Sequence, residues 1–258
     1  MVRTEDSAWS IESARAQNIQ FLPFGGVFRI IIENIMSALA GTYALMAKDF
    51  SSELRTRYAV NALLMFVVTS VSTILFALQS GQPSIETLSG MFWVVIFFTA
   101  MSGLSRIFVS EEERGTTMTL QLIASPSIVY IGKLLFNCGL TLLLAAAVSV
   151  LYLLVFPGFV ILSLDVFILT IVLGSLGFAS AATILAAIIA KANTRGTLYP
   201  VLSFPILIPL LLTVMNATSR ALGGESLQEA AGDFQVLAGY FMVMTAGSFL
   251  LFEYVWKD

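Results

Sequence analysis

The chain of 258 residues contains no histidine and a single cysteine, Cys138. Without histidine it lacks the commonest metal ligand and the usual general base at neutral pH. A Ser-His-Asp triad and a histidine-ligated zinc site are therefore excluded, and one cysteine forms no disulfide within the chain. The motif G-x-x-x-x-G-K-[ST] is also missing, so the chain has no P-loop with which to hydrolyse ATP.

Charged residues are scarce as well. Asp, Glu, Lys and Arg make up 11% of the chain and hydrophobic residues 58%, whereas soluble domains average about 25% charged residues. Too few polar side chains remain to cover a water-facing surface, which indicates an integral membrane protein. The net charge of −3 gives no basic surface for nucleic acid, so no nucleic-acid partner is expected.

Six apolar runs are long enough to cross a bilayer, which takes about 20 mostly apolar residues. The runs are Ala59–Leu78, Leu88–Val109, Lys133–Phe156, Leu164–Ala190, Leu198–Met215 and Phe234–Trp256. Backbone groups in lipid have no water to bond to, so each run is expected to be a helix. The predicted fold is all-α: a polytopic membrane protein with six transmembrane helices, in one domain over residues 59–258.

An amphipathic helix is predicted before the first run. Residues 1–35 are interpreted as an N-terminal cytoplasmic extension, and residues 36–58 as a helix lying in the plane of the lipid headgroups. The reason is an apolar stripe with helical spacing beside basic flanks. The stripe consists of Leu39, Tyr43, Met46, Ala47, Phe50, Leu54 and Tyr58. The alternative is that residues 27–47 form a seventh span, which would place the N-terminus outside.

Lys and Arg are confined mostly to one side of the predicted membrane. The loops 79–87 and 157–163 contain neither residue. The segments on the other side contain Lys48, Arg55, Arg57, Arg106, Arg114, Lys133, Lys191, Arg195 and Lys257. Basic residues favour the cytoplasmic side, so both termini and the loop 110–132 are predicted to be cytoplasmic.

The loop 110–132 is longer than a connection between two helices requires. Gly115 is expected to break or bend the chain, and Pro126 to end a short amphipathic segment, 116–124. Apolar side chains outside the membrane need a cover, so the loop is interpreted as a docking site for a soluble partner; a solvated connector is the alternative. The candidate docking residues are Glu111, Glu112, Glu113, Arg114, Gly115, Leu120, Leu122 and Pro126.

Two of the runs have an unusual composition. The fifth contains Pro200, Pro205 and Pro209, and proline inside a helix removes a backbone hydrogen bond. This run is interpreted as a hinge or the wall of a wet cavity, with a fixed kink as the alternative. The fourth run is rich in small residues, among them Gly174 and Gly177. Such residues predict a close helix–helix contact, within the chain or between subunits.

Several motifs are similar to those of one protein family. In chain order they are Lys48-Asp49-Phe50, Phe108 with Gly115-Thr116, Leu120-Gln121-Leu122, Ser125-Pro126, Lys133, the small residues Gly174 and Gly177, Arg195-Gly196, and Pro205-Ile206-Leu207-Ile208-Pro209. From about Leu45 to the C-terminus the chain thus resembles the CcmB family, the haem exporter permeases of the cytochrome c maturation system. They are ABC exporter permeases with six spans.

The resemblance implies a permease subunit of the bacterial inner membrane with no catalytic residue and no metal of its own. Such a subunit forms a homodimer and binds a cytoplasmic ABC ATPase through the loop 110–132, the coupling loop. A membrane haem-handling subunit and a periplasmic haem chaperone are further partners. No cofactor is expected to bind directly: ATP belongs to the ATPase subunit, and haem is a possible cargo.

The resemblance leaves open whether haem itself crosses the membrane or is released from the chaperone. The lack of histidine favours release, because a haem bound here would lack its usual axial ligand. Two other functions are compatible with the sequence: an ABC permease for another hydrophobic cargo, and a membrane assembly scaffold that uses no energy.

Overall fold

The computed structural model describes residues 24–55, 57–78, 81, 83–104, 111, 115–191 and 198–257. Within these residues the protein is all-helical and contains no strand, which confirms the predicted fold class. The helices are α1 Phe24–Arg55, α2 Arg57–Ala77, α3 Ile85–Leu104, α4 Thr117–Ile123, α5 Pro126–Val155, α6 Leu164–Lys191, α7 Leu198–Gly223 and α8 Ala231–Lys257.

Five of these helices, α3 and α5 to α8, are long and apolar enough to cross a membrane. They coincide with the second to sixth predicted runs. The first predicted run is also helical, in α2, but its apolar stretch Asn61–Ala77 is shorter than those of the five. The described chain is therefore a polytopic membrane protein.

Helix α1 begins earlier than the sequence predicted. It is one helix of 32 residues that starts at Phe24, so the predicted boundary between residues 35 and 36 is not a break in the backbone. The prediction placed the start at residue 36 because Arg29, Glu33 and Asn34 interrupt the apolar pattern before it. Polar residues end a lipid-compatible stripe, but they do not end a helix, since arginine and glutamate are ordinary helix formers.

Helix α6 is the central helix of the bundle. It packs against α3, α5, α7 and α8, and these four helices also contact one another in a ring. Helix α1 packs on α5, and α2 packs on α3. A helix with four neighbours needs small side chains so that all four backbones can approach, and this accounts for the many alanines of α6 that are buried.

The two predicted packing glycines lie on this central helix. A side chain at Gly174 would come within 2.6 Å of Trp93 on α3 and 2.9 Å of Val214 on α7. One at Gly177 would come within 2.6 Å of Leu210, also on α7. Real Cβ atoms do not approach so closely, so the structure places the close helix contacts of both glycines within the chain.

The connections gather at two ends of the bundle, here named the α4 end and the opposite end. At the opposite end, the backbone N–H groups of Leu162 and Ser163 donate to the carbonyl of Ala221 at 3.3 and 3.0 Å. These bonds tie the α5–α6 loop to the last turn of α7. That extra support explains why α7 continues to Gly223, eight residues beyond the predicted run.

Candidate docking site around helix α4

Helix α4 is a short helix between two breaks, as the sequence predicted. Gly115 has φ of 66°, a left-handed conformation that costs an L-amino acid side chain free energy. After the helix, Ala124 and Ser125 are extended, and Pro126 takes the first turn of α5, where its missing N–H removes no helical bond. Pro126 therefore positions α4 by starting the next helix. The predicted docking residues Glu112, Glu113 and Arg114 lie outside the described residues.

The apolar side chains of α4 divide between two faces. Leu120 packs against the hydrophobic core. Met118, Leu122 and Ile123 are 77%, 88% and 78% exposed, respectively. We name these three residues the apolar tip. Of the two leucines predicted to dock, only Leu122 is free to contact a partner, whereas Leu120 fastens α4 to the bundle.

A second contact fastens α4 to the C-terminal end of α8. The Gln121 side chain donates through Nε2 to the backbone carbonyl of Trp256 at 2.5 Å. Trp256 is buried, and its ring stacks on Phe252 with a centroid distance of 5.5 Å. Helix α4 is thus joined by a polar bond to a well-packed part of α8.

The third contact is an ion cluster, which we name the four-charge cluster: Lys48, Asp49, Glu111 and Lys133. Glu111 Oε1 lies 2.6 Å from Lys48 Nζ and 3.1 Å from Lys133 Nζ. Lys133 Nζ also lies 2.9 Å from Asp49 Oδ2, and Lys48 Nζ lies 3.9 Å from Asp49 Oδ1. The two positive and two negative charges balance, so the cluster joins α1, the loop and α5 without a net charge.

The cluster is well shielded from solvent. The Lys133 side chain is 1% exposed and that of Glu111 8%, whereas Lys48 is 49% exposed. Thr116 adds a hydrogen bond of 2.6 Å from its hydroxyl to Glu111 Oε2. Burial alone would raise the pKa of Glu111, but Lys133, Lys48 and Thr116 outweigh it and lower that pKa to about 2. Glu111 is therefore charged at every physiological pH.

The contacts of Glu111 with Lys48 and Lys133 show that its side chain faces into the protein. The sequence proposed it as a docking residue, and the structure places its carboxylate between two lysines, where it anchors the loop below α4. Its two cation partners, Lys48 and Lys133, were not predicted, and neither was Asp49, which pairs with Lys133. The motifs of the resembling family contain all three residues, but their pairing across distant segments is not visible in a linear sequence.

The three prolines of α7 occupy different positions in the helix. Pro200 lies in the first turn, where no intrahelical hydrogen bond is lost. Pro205 and Pro209 lie inside the helix, and neither can donate to the carbonyl four residues before it. The structure thus places the weakened backbone of α7 one to three turns from its start, around Ile206.

Side-chain hydroxyls bind carbonyls in this weakened part of α7. Tyr240 on α8 donates to the carbonyl of Ile206 at 3.0 Å, and Thr213 donates to that of Pro209 at 2.8 Å. Pro205 and Pro209 leave the carbonyls of Val201 and Pro205 without a helical donor, so the two hydroxyls bind carbonyls that lie within one turn of the freed ones. Tyr240 was not predicted, because the sequence does not indicate which helix lies beside the prolines.

The sequence matches one known protein family. The family model described as "CcmB protein" matches residues 40–253. No curated protein matches the chain. The match covers most of the chain, including α4, the four-charge cluster and the proline segment. The chain therefore belongs to the CcmB family of haem exporter permease components, which are membrane proteins of cytochrome c biogenesis and are not themselves catalytic.

Proposed function

We propose that this chain is the permease subunit of an ABC transporter complex and that a separate cytoplasmic ATPase binds the apolar tip of α4. The observation that carries the proposal is an exposed apolar surface on a short helix that is fastened to the bundle at three points. Leu120, Gln121 and Glu111 provide those points. An apolar surface that only faced water would gain nothing from such rigid support.

In this mechanism, closure of the ATPase around ATP displaces α4. The displacement passes to α1 and α5 through Glu111, and to α8 through Gln121. Helix α7 responds most easily, because Pro205 and Pro209 leave its backbone with fewer hydrogen bonds. The chain itself supplies no catalytic group and no resident cofactor; ATP binds to the partner, and the complex either exports haem or releases it from the chaperone.

The position of α6 supports a homodimer. This helix fills the centre of the bundle, and 72% of its apolar span is buried. A cargo as large as haem would therefore pass along a path between two copies rather than through one. A membrane haem-handling subunit and a periplasmic haem chaperone complete the proposed assembly, in which ATP is used for haem export or for release of haem from the chaperone.

The orientation follows from the distribution of basic residues. With both termini in the cytoplasm of a bacterium, the α4 end lies at the inner surface of the inner membrane. Helix α1 then lies along this surface. It packs on α5 through Leu45 and through Phe50, whose ring contacts that of Phe136, and it presents an apolar stripe of Met36, Leu39 and Tyr43 away from the bundle. That stripe is suited to the lipid boundary.

Docking is tested by expressing this subunit and the ATPase subunit of its transport system in the same cells and purifying them together. The double variant Met118→Asp/Leu122→Asp is expected to lose the ATPase, because a carboxylate at the tip removes the apolar contact. Both side chains are exposed, so folding is expected to be retained. Leu227→Asp is the matched control, since Leu227 is an exposed leucine in the loop between α7 and α8 at the opposite end.

Normal co-purification of the double variant would exclude α4 as the docking site. A second measurement separates a permease from a passive scaffold: the ATPase rate of the partner, with and without this subunit, in lipid nanodiscs. A change in that rate is expected for the permease. An unchanged rate with a bound partner would favour the scaffold.

A further inference from the structure

Helix α8 contacts both parts of the proposed mechanism. Its last turn accepts the bond from Gln121 on α4, at the carbonyl of Trp256. Sixteen residues earlier, Tyr240 donates to the carbonyl of Ile206 on α7. At 1.5 Å per residue these two positions lie about 24 Å apart along the helix axis, so a single rigid element spans from the docking helix to the weakened turn of α7.

The bond from Tyr240 is placed where α7 is easiest to bend. Ile206 lies between Pro205 and Pro209, which both lack a backbone donor. Gly177 on α6 lies beside this bond: a Cβ there would be in ordinary van der Waals contact, 3.4 Å, with the Tyr240 ring. The central helix therefore packs directly against the point where α8 reaches α7.

Helix α8 is also the least enclosed of the five candidate spans. Its apolar window is 17% buried, compared with 72% in α6 and 44% in α7. The residues on its exposed side are mostly large and apolar, such as Met242, Val243, Leu250 and Leu251, and lipid solvates them equally well after a small shift. Moving α8 as a rod therefore disturbs fewer packed contacts than moving α6 would.

We propose that α8 transmits the movement of α4 to the proline segment of α7, and that Gln121 and Tyr240 are the positioning residues at its two ends. This proposal rests on the proposed function, in which an ATPase displaces α4. It adds the route by which the movement reaches α7: from Gln121 to the carbonyl of Trp256, along α8, and through the Tyr240 hydroxyl. The four-charge cluster connects α4 to α1 and α5 instead.

The test follows the environment of α7 directly. In a Cys138→Ser background, the exposed Asn216 of α7 is replaced by cysteine, N216C, and labelled with an environment-sensitive fluorophore. The subunit is purified with its ATPase subunit in nanodiscs, and fluorescence is recorded without nucleotide and with ATP trapped by vanadate. We expect an ATP-dependent change in the reference protein and its loss in Tyr240→Phe, which removes only the hydroxyl.

Gln121→Met is expected to abolish the change in the same way, because it keeps the length of the side chain but not the donor. Tyr254→Phe is the matched control on α8, since Tyr254 is 74% exposed, and it is expected to keep the full change. Co-purification of the ATPase and thermal unfolding are measured for every variant. The fluorescence change is normalised to the amount of bound ATPase, because Gln121 is also one of the three points that hold α4.

Each outcome is decisive. If the ATPase binds and Tyr240→Phe and Gln121→Met both keep the fluorescence change, transmission through α8 is wrong while the proposed function stands. A bound ATPase with no ATP-dependent change in the reference protein would equally overturn the route, since α7 would not move. Failure of the ATPase to bind the reference protein would remove the proposed function, and the route with it.

Discussion

The protein has an ion cluster at each end of its bundle, and the two are built differently. The four-charge cluster at the α4 end joins three segments that are far apart in the chain. At the opposite end, Arg220 pairs with Glu225 and, at 2.9 Å, with Asp233, all within a single turn region between α7 and α8. One cluster holds distant segments together, whereas the other closes a local turn.

The two ion clusters also differ in how far their charged side chains are buried. Lys133 is 1% exposed, whereas Arg220 is 39% exposed. A buried charge that loses its partner keeps its desolvation cost, and an exposed one regains water. The comparison indicates that the four-charge cluster holds the α4 end in one arrangement, because loss of a buried member leaves the others without a partner. The opposite end tolerates change.

The largest expected effect is that of removing Lys133. In Lys133→Met, the half-exposed Lys48 is the one cation of the cluster left to Glu111 and Asp49, so the free energy of unfolding is expected to fall by about 3–5 kcal/mol. Arg220→Met, the same kind of substitution at the opposite end, is expected to cost much less. Unfolding of both variants in detergent, followed by circular dichroism, measures the difference. Equal losses would abolish the distinction between the clusters.

A smaller effect is expected from acid. The folded pKa of Glu111, about 2, is below the ordinary value of 4.5, so the unfolded chain binds the proton more readily. The stabilisation from Glu111 is therefore complete above about pH 4.5 and is lost as the pH falls through about 2. The difference in unfolding free energy between the natural protein and Glu111→Gln, measured from pH 2 to 6, is expected to shrink across that window. A difference independent of pH would contradict the ion pairing.

The smallest effects are expected at two glycines, one at each end. Gly115 and Gly224 have φ of 66° and 81°, and alanine at either is expected to cost about 1 kcal/mol in backbone strain. At Gly224 the added carbon would also lie 3.3 Å from Leu162 Cβ, while at Gly115 no other described residue lies within 4 Å of it. Gly224→Ala should therefore lower the unfolding temperature more.

The same pair of variants separates stability from docking. Gly115→Ala is expected to reduce co-purification of the ATPase, since the turn at Gly115 sets the direction of α4. Gly224→Ala is expected to leave it unchanged, because it is distant from that helix. The opposite result would show that the α4 end carries no docking function.

Local features of the fold could be predicted from the sequence, but contacts between side chains on distant segments could not. Hydropathy located the long helices, because lipid leaves a backbone no alternative to helix. Gly115 and Pro126 bounded α4, because their backbone preferences act within a few residues. The direction of Glu111 was missed, since an acidic residue in a polar loop looks the same whether it faces water or a buried lysine. The start of α1 was missed because the spacing of apolar residues shows which part of a helix has an apolar face. It does not show where the hydrogen-bonded helix begins.

By itself, the sequence determined the membrane class, the number of apolar runs and the short helix between two breaks. Each depends on side-chain transfer into lipid or on the conformations allowed to single residues. Only the tertiary structure decided that α6 is central, that Lys133 meets Glu111 and Asp49, and that α8 reaches both α4 and α7. Those contacts depend on which surfaces meet after the helices pack, and that is a property of the whole chain rather than of any one segment.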